Sequence, residues 1–533
     1  MTSRKLQPGK WLDTLSYIIR GHRGRFALCL GLGLLSNAFI AAANPLALKY
    51  LFDEGIIRGD FQLFILLSVG FMGLFTVWRM AVYFYRIFAQ NLKNTVTASL
   101  SLRMLDKYYR IPYNEVIRRD RGYFLSRIYD EVLQTAPLVM DTTLSLSNMF
   151  VTLVTALVVA LSISLRATLV VLVIVPVVYY LSRKYSSRIR KESMAEKEEE
   201  AKVRGVLERA VGSYKTARVF GLERHATKKF GDQVGTFVDA FAARFKSATG
   251  YETTSGIFMS YVESIAIVSA GYEILVGRMT FGGFMGFMSA FWGVMGAVRG
   301  IFGRVPELAR ASGMAERLQE FEGFEESLTG IRHADSVRLD RVTFAYDRQD
   351  VLSQLELSLE AGERVLVLGP NGCGKSTLAH LVAGLLQPGT GATTTLPLDR
   401  VSGILPPFEF VPGTARENLA FADPARTDHL ARALGITDLL DIDPSQFSAG
   451  QRKRLEILMV LGKPADLYIL DEPLAGIDVV SKLSVMDTIF AATEGRMLLL
   501  IMHGDDEFHA RFDRVVDLTP PTPQWSPVRK AVG

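Results

Sequence analysis

The sequence predicts a membrane α-helical bundle of six transmembrane helices followed by an α/β P-loop domain that holds a nucleotide. Three observations support this fold class: 49% of the 533 residues are hydrophobic, long apolar spans precede residue 300, and a glycine-rich loop follows at 369–377. Such a chain is too long for one domain and too apolar to be wholly soluble. We therefore expect a cytoplasmic N-terminal segment (1–25), a transmembrane domain (26–325), a nucleotide-binding domain (330–518) and a disordered Pro-rich tail (519–533).

Apolar spans come first. About 20 apolar residues are needed to cross the hydrocarbon core of a bilayer. Six spans meet this requirement: 26–48, 61–85, 142–165, 167–183, 254–274 and 279–299. The fourth span is the shortest, and Pro176 is expected to kink it.

Charge sets the expected orientation. Basic residues are abundant in the N-terminal segment and in the long connections 86–127 and 183–246, whereas 49–60 is short and nearly neutral. Because positively charged loops stay in the cytoplasm, we expect a multi-pass protein of the inner or plasma membrane with both termini and the nucleotide-binding domain cytoplasmic. Both long connections have helical apolar periodicity, which predicts helical extensions into the cytosol.

The net charge of +5 does not indicate nucleic acid as a partner, because the basic residues lie mostly in loops between apolar spans. The two cysteines, Cys29 and Cys373, offer no disulfide framework. Both observations fit an ATPase that faces a reducing cytosol.

The loop at 369–377 reads Gly-Pro-Asn-Gly-Cys-Gly-Lys-Ser-Thr, between a strand-like run at 364–368 and a helical run at 378–386. Its glycines let backbone N–H groups surround the β-phosphate of ATP, Lys375 supplies positive charge, and the Ser376 hydroxyl can ligate Mg²⁺. The predicted phosphate-binding residues are Gly369, Pro370, Asn371, Gly372, Cys373, Gly374, Lys375, Ser376 and Thr377.

Further motifs resemble those of one family. Residues 122–132, Gly-Tyr-Phe-Leu-Ser-Arg-Ile-Tyr-Asp-Glu-Val, resemble the pattern that follows the first coupling helix in ABC exporters, except that Glu131 intervenes before Val132. Residues 208–223 resemble the second coupling region. Ser448-Ala-Gly-Gln-Arg resembles the ABC signature motif and starts a predicted helix. Except for the tail, nearly the whole chain resembles an ABC exporter half-transporter.

This resemblance implies roles for several residues. Residues 467–473, Leu-Tyr-Ile-Leu-Asp-Glu-Pro, form an apolar strand that ends in two carboxylates, and Asp471 is expected beside Mg²⁺ while Glu472 acts as general base on the attacking water. The alternative is an acidic strand end in solvent. His503 corresponds to the histidine that contacts the γ-phosphate, and Tyr346 to the aromatic residue that stacks on adenine. The alternatives for His503 and Tyr346 are a structural histidine and packing at a strand end.

The signature residues imply a second subunit. Ser448 and the Gly450 N–H would form an anion site at a helix N-terminus, which in this family closes over the γ-phosphate held by the other subunit. Gln451 belongs to the same nucleotide-binding set, and so does Asp478 at the end of the D-loop, residues 475–478 (Ala-Gly-Ile-Asp). Because the chain carries one copy of each motif, the resemblance implies a dimer, with a second copy or with a related half-transporter, and ATP and Mg²⁺ as cofactors.

The chain also departs from the family pattern. The expected Q-loop glutamine, which in this family touches Mg²⁺ and water and reports nucleotide state to the membrane helices, falls on Pro406 or a neighbour. Its absence leaves coupling and turnover rate open. Residues 451–455, Gln-Arg-Lys-Arg-Leu, resemble the cyclic-peptide and siderophore-peptide exporter subgroup.

Two polar residues of the spans are candidates for substrate contact. Glu263 lies midway along the fifth span, where an unpaired carboxylate is costly, so we expect it to face the bundle interior. The alternative is a protonated Glu263 bonded between helices. Arg79 could line the inner vestibule or mark the cytoplasmic membrane boundary.

The resulting functional prediction is an ATP-hydrolysing exporter that moves a small amphipathic molecule by alternating access, with a modified or cyclic peptide as one candidate. Two alternatives stay open: a lipid flippase of the same fold, and a non-transporting regulatory membrane subunit, suggested by Pro406. The motifs do not distinguish export from import.

Overall fold

A computed structural model describes residues 8–57, 59–173, 175–326, 331–346, 349–502 and 506–518. The described residues divide by their internal contacts into two compact units. The first unit contains 8–103 and 127–320, and the second contains 104–126 and 321–518. The predicted tail 519–533 lies outside the described residues.

The helices of the described residues, in chain order, are α1 (Pro8–Ile18), α2 (Arg23–Tyr50), α3 (Phe61–Arg110), α4 (Tyr113–Ile117), α5 (Arg121–Leu125), α6 (Glu131–Ile163), α7 (Leu165–Leu172), α8 (Val175–Gly212), α9 (Tyr214–Phe220), α10 (Glu223–Leu275), α11 (Phe281–Glu322), α12 (Lys375–Val382), α13 (Ala415–Asn418), α14 (Pro424–Ala433), α15 (Ala449–Gly462) and α16 (Val479–Ala492). The strands are β1 (Ile331–His333), β2 (Val337–Tyr346), β3 (Gln349–Leu359), β4 (Arg364–Leu368), β5 (Thr390–Thr395), β6 (Val401–Ile404), β7 (Leu467–Asp471), β8 (Met497–Ile501) and β9 (Arg514–Asp517). Two π-helical segments, Leu51–Ile57 and Ser126–Asp130, continue α2 and precede α6.

Helices long and apolar enough to cross a membrane account for five of the six predicted spans. Within the described ranges these are Arg23–Ile57, Phe61–Arg110, Arg121–Ile163, Glu223–Leu275 and Phe281–Ile301. The fourth predicted span, 167–183, falls on α7 and the beginning of α8, and residue 174 between them is not described. That span stays a prediction.

The two long connections are helical, as the periodicity predicts. Helix α3 has 50 residues and α10 has 53, which correspond to about 75 and 80 Å at 1.5 Å per residue. Both helices therefore extend far beyond the ~30 Å of a hydrocarbon core.

Small residues let the membrane-spanning helices of the first unit pack closely. Ala156 and Ala160 of α6, Ala266 and Ala270 of α10 and Ala290 of α11 are buried in one apolar cluster. Close backbone approach through small residues is how helices associate where lipid is as apolar as the side chains. Two polar contacts support the same bundle, since the Trp78 indole N–H donates to Ser36 Oγ and the Asn44 amide donates to Ser289 Oγ, both at 3.1 Å.

The second unit is built on two sheets. In its described part, parallel strands lie in the order β6-β7-β8-β4-β9, and a second sheet has the order β1-β5-β2-β3. Alternate residues of β4 enter opposite cores: Val365 and Val367 face one apolar layer, and Leu366 faces the other. Burial of the parallel strands on both faces explains why they read as continuous apolar runs. The parallel pairing of β4, β7 and β8 places their carboxyl ends at one edge of the sheet.

Residues 104–126, hereafter the 104–126 segment, belong by their contacts to the second unit. Tyr113 and Ile117 of α4 pack against the apolar layer that includes α12 and one face of the parallel sheet. The Lys107 ammonium donates to the carbonyl oxygen of Phe324 at 2.5 Å and to the Glu326 carboxylate at 2.9 Å. These contacts connect the end of α3 and helix α4 to the nucleotide-binding fold.

Candidate functional site

The glycine-rich loop lies between β4 and α12, so the strand–loop–helix context expected from the sequence is confirmed. Gly372 and Gly374 have φ angles of 83° and 98°, a left-handed conformation that side chains rarely adopt. A Cβ at Gly374 would also lie 2.8 Å from the Leu352 side chain. Glycine is therefore required at this position both by backbone conformation and by space.

Lys375, the first residue of α12, is buried, and its ammonium donates to the carbonyl oxygens of Gly369 and Pro370 at 2.9 Å each. The loop thus wraps around its own lysine. The positive charge of Lys375 thus lies at the N-terminus of α12, and this combination suits a phosphate group.

Ser376 and Asp471 are brought together from two strand ends. The Ser376 hydroxyl donates to Asp471 Oδ2 at 2.6 Å. Asp471 is only 4% exposed, and burial raises the pKa of its carboxyl group, while the hydrogen bond from Ser376 acts in the opposite direction. A hydroxyl and a carboxylate in contact are the hard oxygen ligands that Mg²⁺ prefers, so these two residues fit the metal expected beside ATP.

Glu472 directly follows the buried strand β7 and has a φ angle of 48°. Its backbone N–H donates to the Ile501 carbonyl at 3.0 Å, which fixes it to the end of the neighbouring strand β8. Its side chain borders a cavity of about 190 Å³ that Gly476, Lys482 and Met502 also line. Left-handed backbone in a non-glycine residue is typical of functional sites, where the surrounding structure maintains the strain.

Ser448 begins helix α15, as predicted. Its hydroxyl accepts a hydrogen bond from the Gln451 N–H at 3.3 Å, and Gln451 Oε1 accepts one from the Ser448 N–H at 2.9 Å. This capping box orients the positive end of a 14-residue helix outward. Gly450, in the first turn of α15, lies close to the D-loop. A Cβ at this position would lie 3.1 Å from the Gly476 carbonyl oxygen.

Asp478 of the D-loop caps helix α16. Its carboxylate accepts from the Ser481 N–H at 2.9 Å and from the Arg454 guanidinium at 3.0 Å. Hydrogen bonding to Ser481, with the nearby Arg454, lowers the pKa of Asp478. Its predicted contact with nucleotide stays a prediction.

The other predicted site residues are placed as follows. Tyr346 ends β2, is partly exposed, and meets Phe344 edge to face at 4.9 Å. His503 lies outside the described residues, immediately after the described part of the chain at β8. Pro406 is exposed two residues after β6. The roles of Tyr346 and His503 toward ATP stay predictions.

The two predicted substrate residues lie on membrane-spanning helices. Glu263 is half-buried on α10, and none of the residues that the structure describes forms an ion pair with it. Arg79 is exposed on α3, and its guanidinium lies 5.2 Å from the centre of the Trp78 ring. Neither placement tests substrate contact.

Sequence reasoning missed three polar contacts, two in the second unit and one in the first. His380 is buried one turn after Ser376, Arg454 links the signature helix to Asp478, and buried Glu273 in the fifth span lies 3.7 Å from Arg278. Only Arg454 carried a sequence signal, as part of a charge-rich run after the signature motif. The other two contacts are local in the chain, but neither residue belongs to a motif that the sequence singles out.

Comparison with known proteins places this geometry in a family. The family model of the ABC transporter transmembrane region matches residues 27–298, a little more than half of the chain, and the ABC transporter model matches residues 352–475.

Individual relatives match over most of the chain. An ATP-dependent lipid A-core flippase of Ralstonia nicotianae is 25% identical over 93% of this chain and 90% of its own length. A Bacillus subtilis protein named for multidrug export, an ATP-binding/permease protein, is 25% identical over 87% of both chains. A bacterial Atm1-family ABC exporter with ATP bound shares the fold, with a TM-score of 0.76 over 93% of this chain and 94% of that one at 17% identity.

The matched transmembrane region and the matched nucleotide-binding domain are fused in one chain. The phosphate loop, the signature helix and the strand-end carboxylates follow one another in the expected order. The chain therefore belongs to the ABC transporter family, as a half-transporter of the exporter type in which ATP hydrolysis is coupled to transport.

Proposed function

We propose that this protein is a dimeric exporter that moves an amphipathic molecule across the inner membrane by alternating access. The observation that carries the proposal is the contact between Ser376 and Asp471 at 2.6 Å, beside Glu472 and the glycine-rich loop. This arrangement supplies Mg²⁺ ligands and a general base at one edge of the sheet, which phosphoryl transfer to water requires.

In this proposal each residue of the site has a distinct role. The loop N–H groups and Lys375 hold the phosphates of ATP, and Ser376 and Asp471 hold Mg²⁺. Glu472 accepts a proton from the attacking water, and Tyr346 stacks on adenine. His503 contacts the γ-phosphate.

The dimer follows from the motif count. The chain has one glycine-rich loop and one signature helix, and the signature helix presents its capped N-terminus outward. A second copy would place its Ser448 and Gly450 over the phosphates bound to the first copy. Opening and closing of this sandwich can drive transport only if its two states differ in affinity for ATP and for the transported molecule.

The membrane-spanning helices support an amphipathic substrate. Helix α3 exposes a succession of large apolar side chains, including Leu66, Met72 and Val77. Glu263 offers a half-buried carboxylate on α10 for a cationic or hydroxyl group. We assign Glu263 to substrate contact. Arg79 would then serve as a contact for anionic headgroups near the cytoplasmic boundary.

A lipid is the second substrate candidate. Relatives with about a quarter of their residues identical are named lipid A-core flippases, and one is named for multidrug export. A lipid and an amphipathic peptide share an apolar body with a polar head, so the same membrane surfaces suit both. The short resemblance at 451–455 favours a peptide, whereas the names of these relatives favour a lipid.

Purified protein in lipid vesicles tests the proposal. ATP hydrolysis should depend on Mg²⁺ and fall at least about 100-fold in the Glu472→Gln variant, since the general base is removed. Stimulation by an anionic glycolipid alone would identify a flippase, and stimulation only by an added amphipathic peptide would identify a peptide exporter. Glu263→Gln should weaken stimulation without changing unstimulated hydrolysis. Absence of hydrolysis in the parent protein would refute the proposal and favour a regulatory subunit.

A further inference from the structure

Helix α12, which carries Lys375 and Ser376, contacts the 104–126 segment through a pair of stacked rings. His380 lies one turn after Ser376 and is 6% exposed. Its imidazole stacks on the Tyr113 ring of α4, with 5.2 Å between the ring centres and 12° between the planes. The helix that binds the phosphates is therefore in direct aromatic contact with the intracellular segment.

His380 is also joined to the Mg²⁺ ligand residue. Its Nδ1 lies 2.6 Å from the Ser376 carbonyl oxygen, and because a carbonyl can only accept, Nδ1 carries the hydrogen. This hydrogen bond holds the imidazole in one orientation. Ser376 and His380 also lie one turn apart on the same helix, so a displacement of α12 moves both residues together.

A second contact joins α4 to the residues that follow α12. The Asn114 side chain accepts a hydrogen bond from the Gln387 N–H at 3.1 Å, just after the end of that helix. Ile117 packs with Tyr113 against the same apolar layer. Helix α4 thus contacts α12 through Tyr113 and the residues after α12 through Asn114.

The alternative route, through the segment that follows β6, is weaker in this chain. The expected glutamine is absent, and Pro406 is exposed. Glu409 of that segment pairs with Arg121 at 2.5 Å, but these side chains are 63% and 74% exposed. Exposed ion pairs contribute little and are screened by salt.

We propose that the ring pair His380 and Tyr113 is the contact through which ATP and Mg²⁺ at Ser376 act on the 104–126 segment, in place of the absent glutamine. This inference rests on the proposed function, since it concerns how ATP binding reaches the transport machinery. Both residues are positioning residues, because neither is among the residues proposed to bind ATP, Mg²⁺ or the attacking water. The essential property is the planar ring at each position.

Hydrogen–deuterium exchange of the 104–126 segment tests this inference with Mg²⁺-ATP as the only ligand. The background is the Glu472→Gln protein, in which bound ATP is not consumed. ATP should change the exchange of α4 amides in this parent. The change should be lost in His380→Ala and in Tyr113→Ala, with ATP affinity retained. It should persist in His380→Phe and Tyr113→Phe, which keep the rings. Tyr109→Ala is the matched control, since Tyr109 is 75% exposed in the same segment.

Three results would overturn the inference. The first is an ATP response that survives His380→Ala. The second is a His380→Phe variant that behaves like His380→Ala, which would assign the effect to the hydrogen bond and not to the ring. The third is a parent protein whose segment does not respond to bound ATP. The measurement requires ATP binding only, so it decides the inference even if hydrolysis or transport fails and the proposed function is refuted.

Discussion

The hydroxyl of Ser376 donates a hydrogen bond to the carboxylate of Asp471, although the two residues are 95 positions apart in the chain. The parallel sheet explains this proximity, because β4 and β7 both pair with β8 and end at the same edge. A serine at a helix N-terminus and an aspartate at a strand end thereby form one pair of oxygen ligands. The proposed metal site therefore depends on the strand order of the sheet more than on any single loop.

Asp471→Asn should abolish most hydrolysis. Without the carboxylate, Mg²⁺ loses a charged ligand, and we expect ATP turnover to fall at least about 100-fold. The amide can still accept the Ser376 hydrogen bond, so the fold should be retained. ATPase rates at increasing Mg²⁺ concentration measure the effect. A variant that recovers full activity at high Mg²⁺ would show that Asp471 tunes affinity and is dispensable for turnover.

Asp471→Asn should also stabilise the nucleotide-free protein at neutral pH. Because burial raises the pKa of Asp471 in the folded chain, the folded state binds this proton more tightly than the unfolded state does. The ionised carboxylate therefore costs folding free energy, and the cost is absent below the unfolded pKa and grows as pH rises through the folded pKa. The Tm difference between variant and parent should be larger at about pH 7.5 than at about pH 3, which is below the ordinary pKa of an aspartate. Equal differences at both pH values would contradict this sign.

The conformation of Glu472 predicts a stability difference between two inactive variants. Both Glu472→Gly and Glu472→Ala remove the general base, but only glycine adopts a φ of 48° without strain. Glu472→Gly should therefore be more stable than Glu472→Ala by about 1 kcal/mol. Chemical unfolding of the two purified variants measures this difference.

The variants Ser484→Gly and Ser484→Ala provide the matched control. Ser484 is exposed in the interior of α16, where Gly is less favourable than Ala by about 1 kcal/mol. The order of stability should reverse there. The same order at both positions would mean that Glu472 is not strained.

Local patterns were sufficient for much of this structure. The glycine-rich loop, five spans and the start of α15 at Ser448 could be predicted because apolar periodicity, glycine conformation and helix capping are properties of neighbouring residues. The stack of His380 on Tyr113 could not be predicted, because it joins distant parts of the chain through a packing surface. The fourth predicted span, which includes residue 174, remains a prediction.

Glu131 illustrates the other limit of sequence reasoning. In the sequence it interrupts a family pattern, and nothing nearby indicates its role. In the structure its carboxylate is 12% exposed and pairs with Arg127 and, at 3.0 Å, with Arg317 of α11. The residue that breaks the pattern is thus the acceptor that joins α6 to α11.

Glu131→Ala should destabilise the first unit by about 2 kcal/mol, because it leaves the largely buried Arg127 guanidinium without this acceptor. Arg317→Ala should cost less than about 1 kcal/mol, since that side chain is 43% exposed. Unfolding free energies of the two variants and of the double variant measure the coupling between them.

Glu115 is the matched control for Glu131. It also faces two arginines, Arg118 and Arg119, but it does so within one helical turn and is 31% exposed. Glu115→Ala should therefore cost less than about 1 kcal/mol. Equal losses at Glu115 and Glu131 would show that burial does not distinguish them.

Gly450→Ala should reduce hydrolysis without unfolding the protein. A Cβ at this position would lie 3.1 Å from the Gly476 carbonyl oxygen, so the D-loop must shift by a few tenths of an ångström. Gly476 and Glu472 line the same cavity, and small displacements of catalytic groups are costly, so turnover should fall about tenfold. The backbone N–H at 450 is retained, and alanine favours the helix, so Tm should not fall.

Gly313→Ala separates the effect of the D-loop from that of helix propensity. Gly313 lies within α11, and apart from the backbone of that helix none of the described residues has an atom within 4 Å of where its Cβ would be. This variant should hydrolyse ATP at the parent rate. ATP affinity should be retained in both variants, because the glycine-rich loop is unaltered and residue 450 keeps the backbone N–H that is proposed to face the phosphates. If Gly450→Ala lost ATP affinity and kept its maximal rate, position 450 would act on nucleotide binding and not through the D-loop.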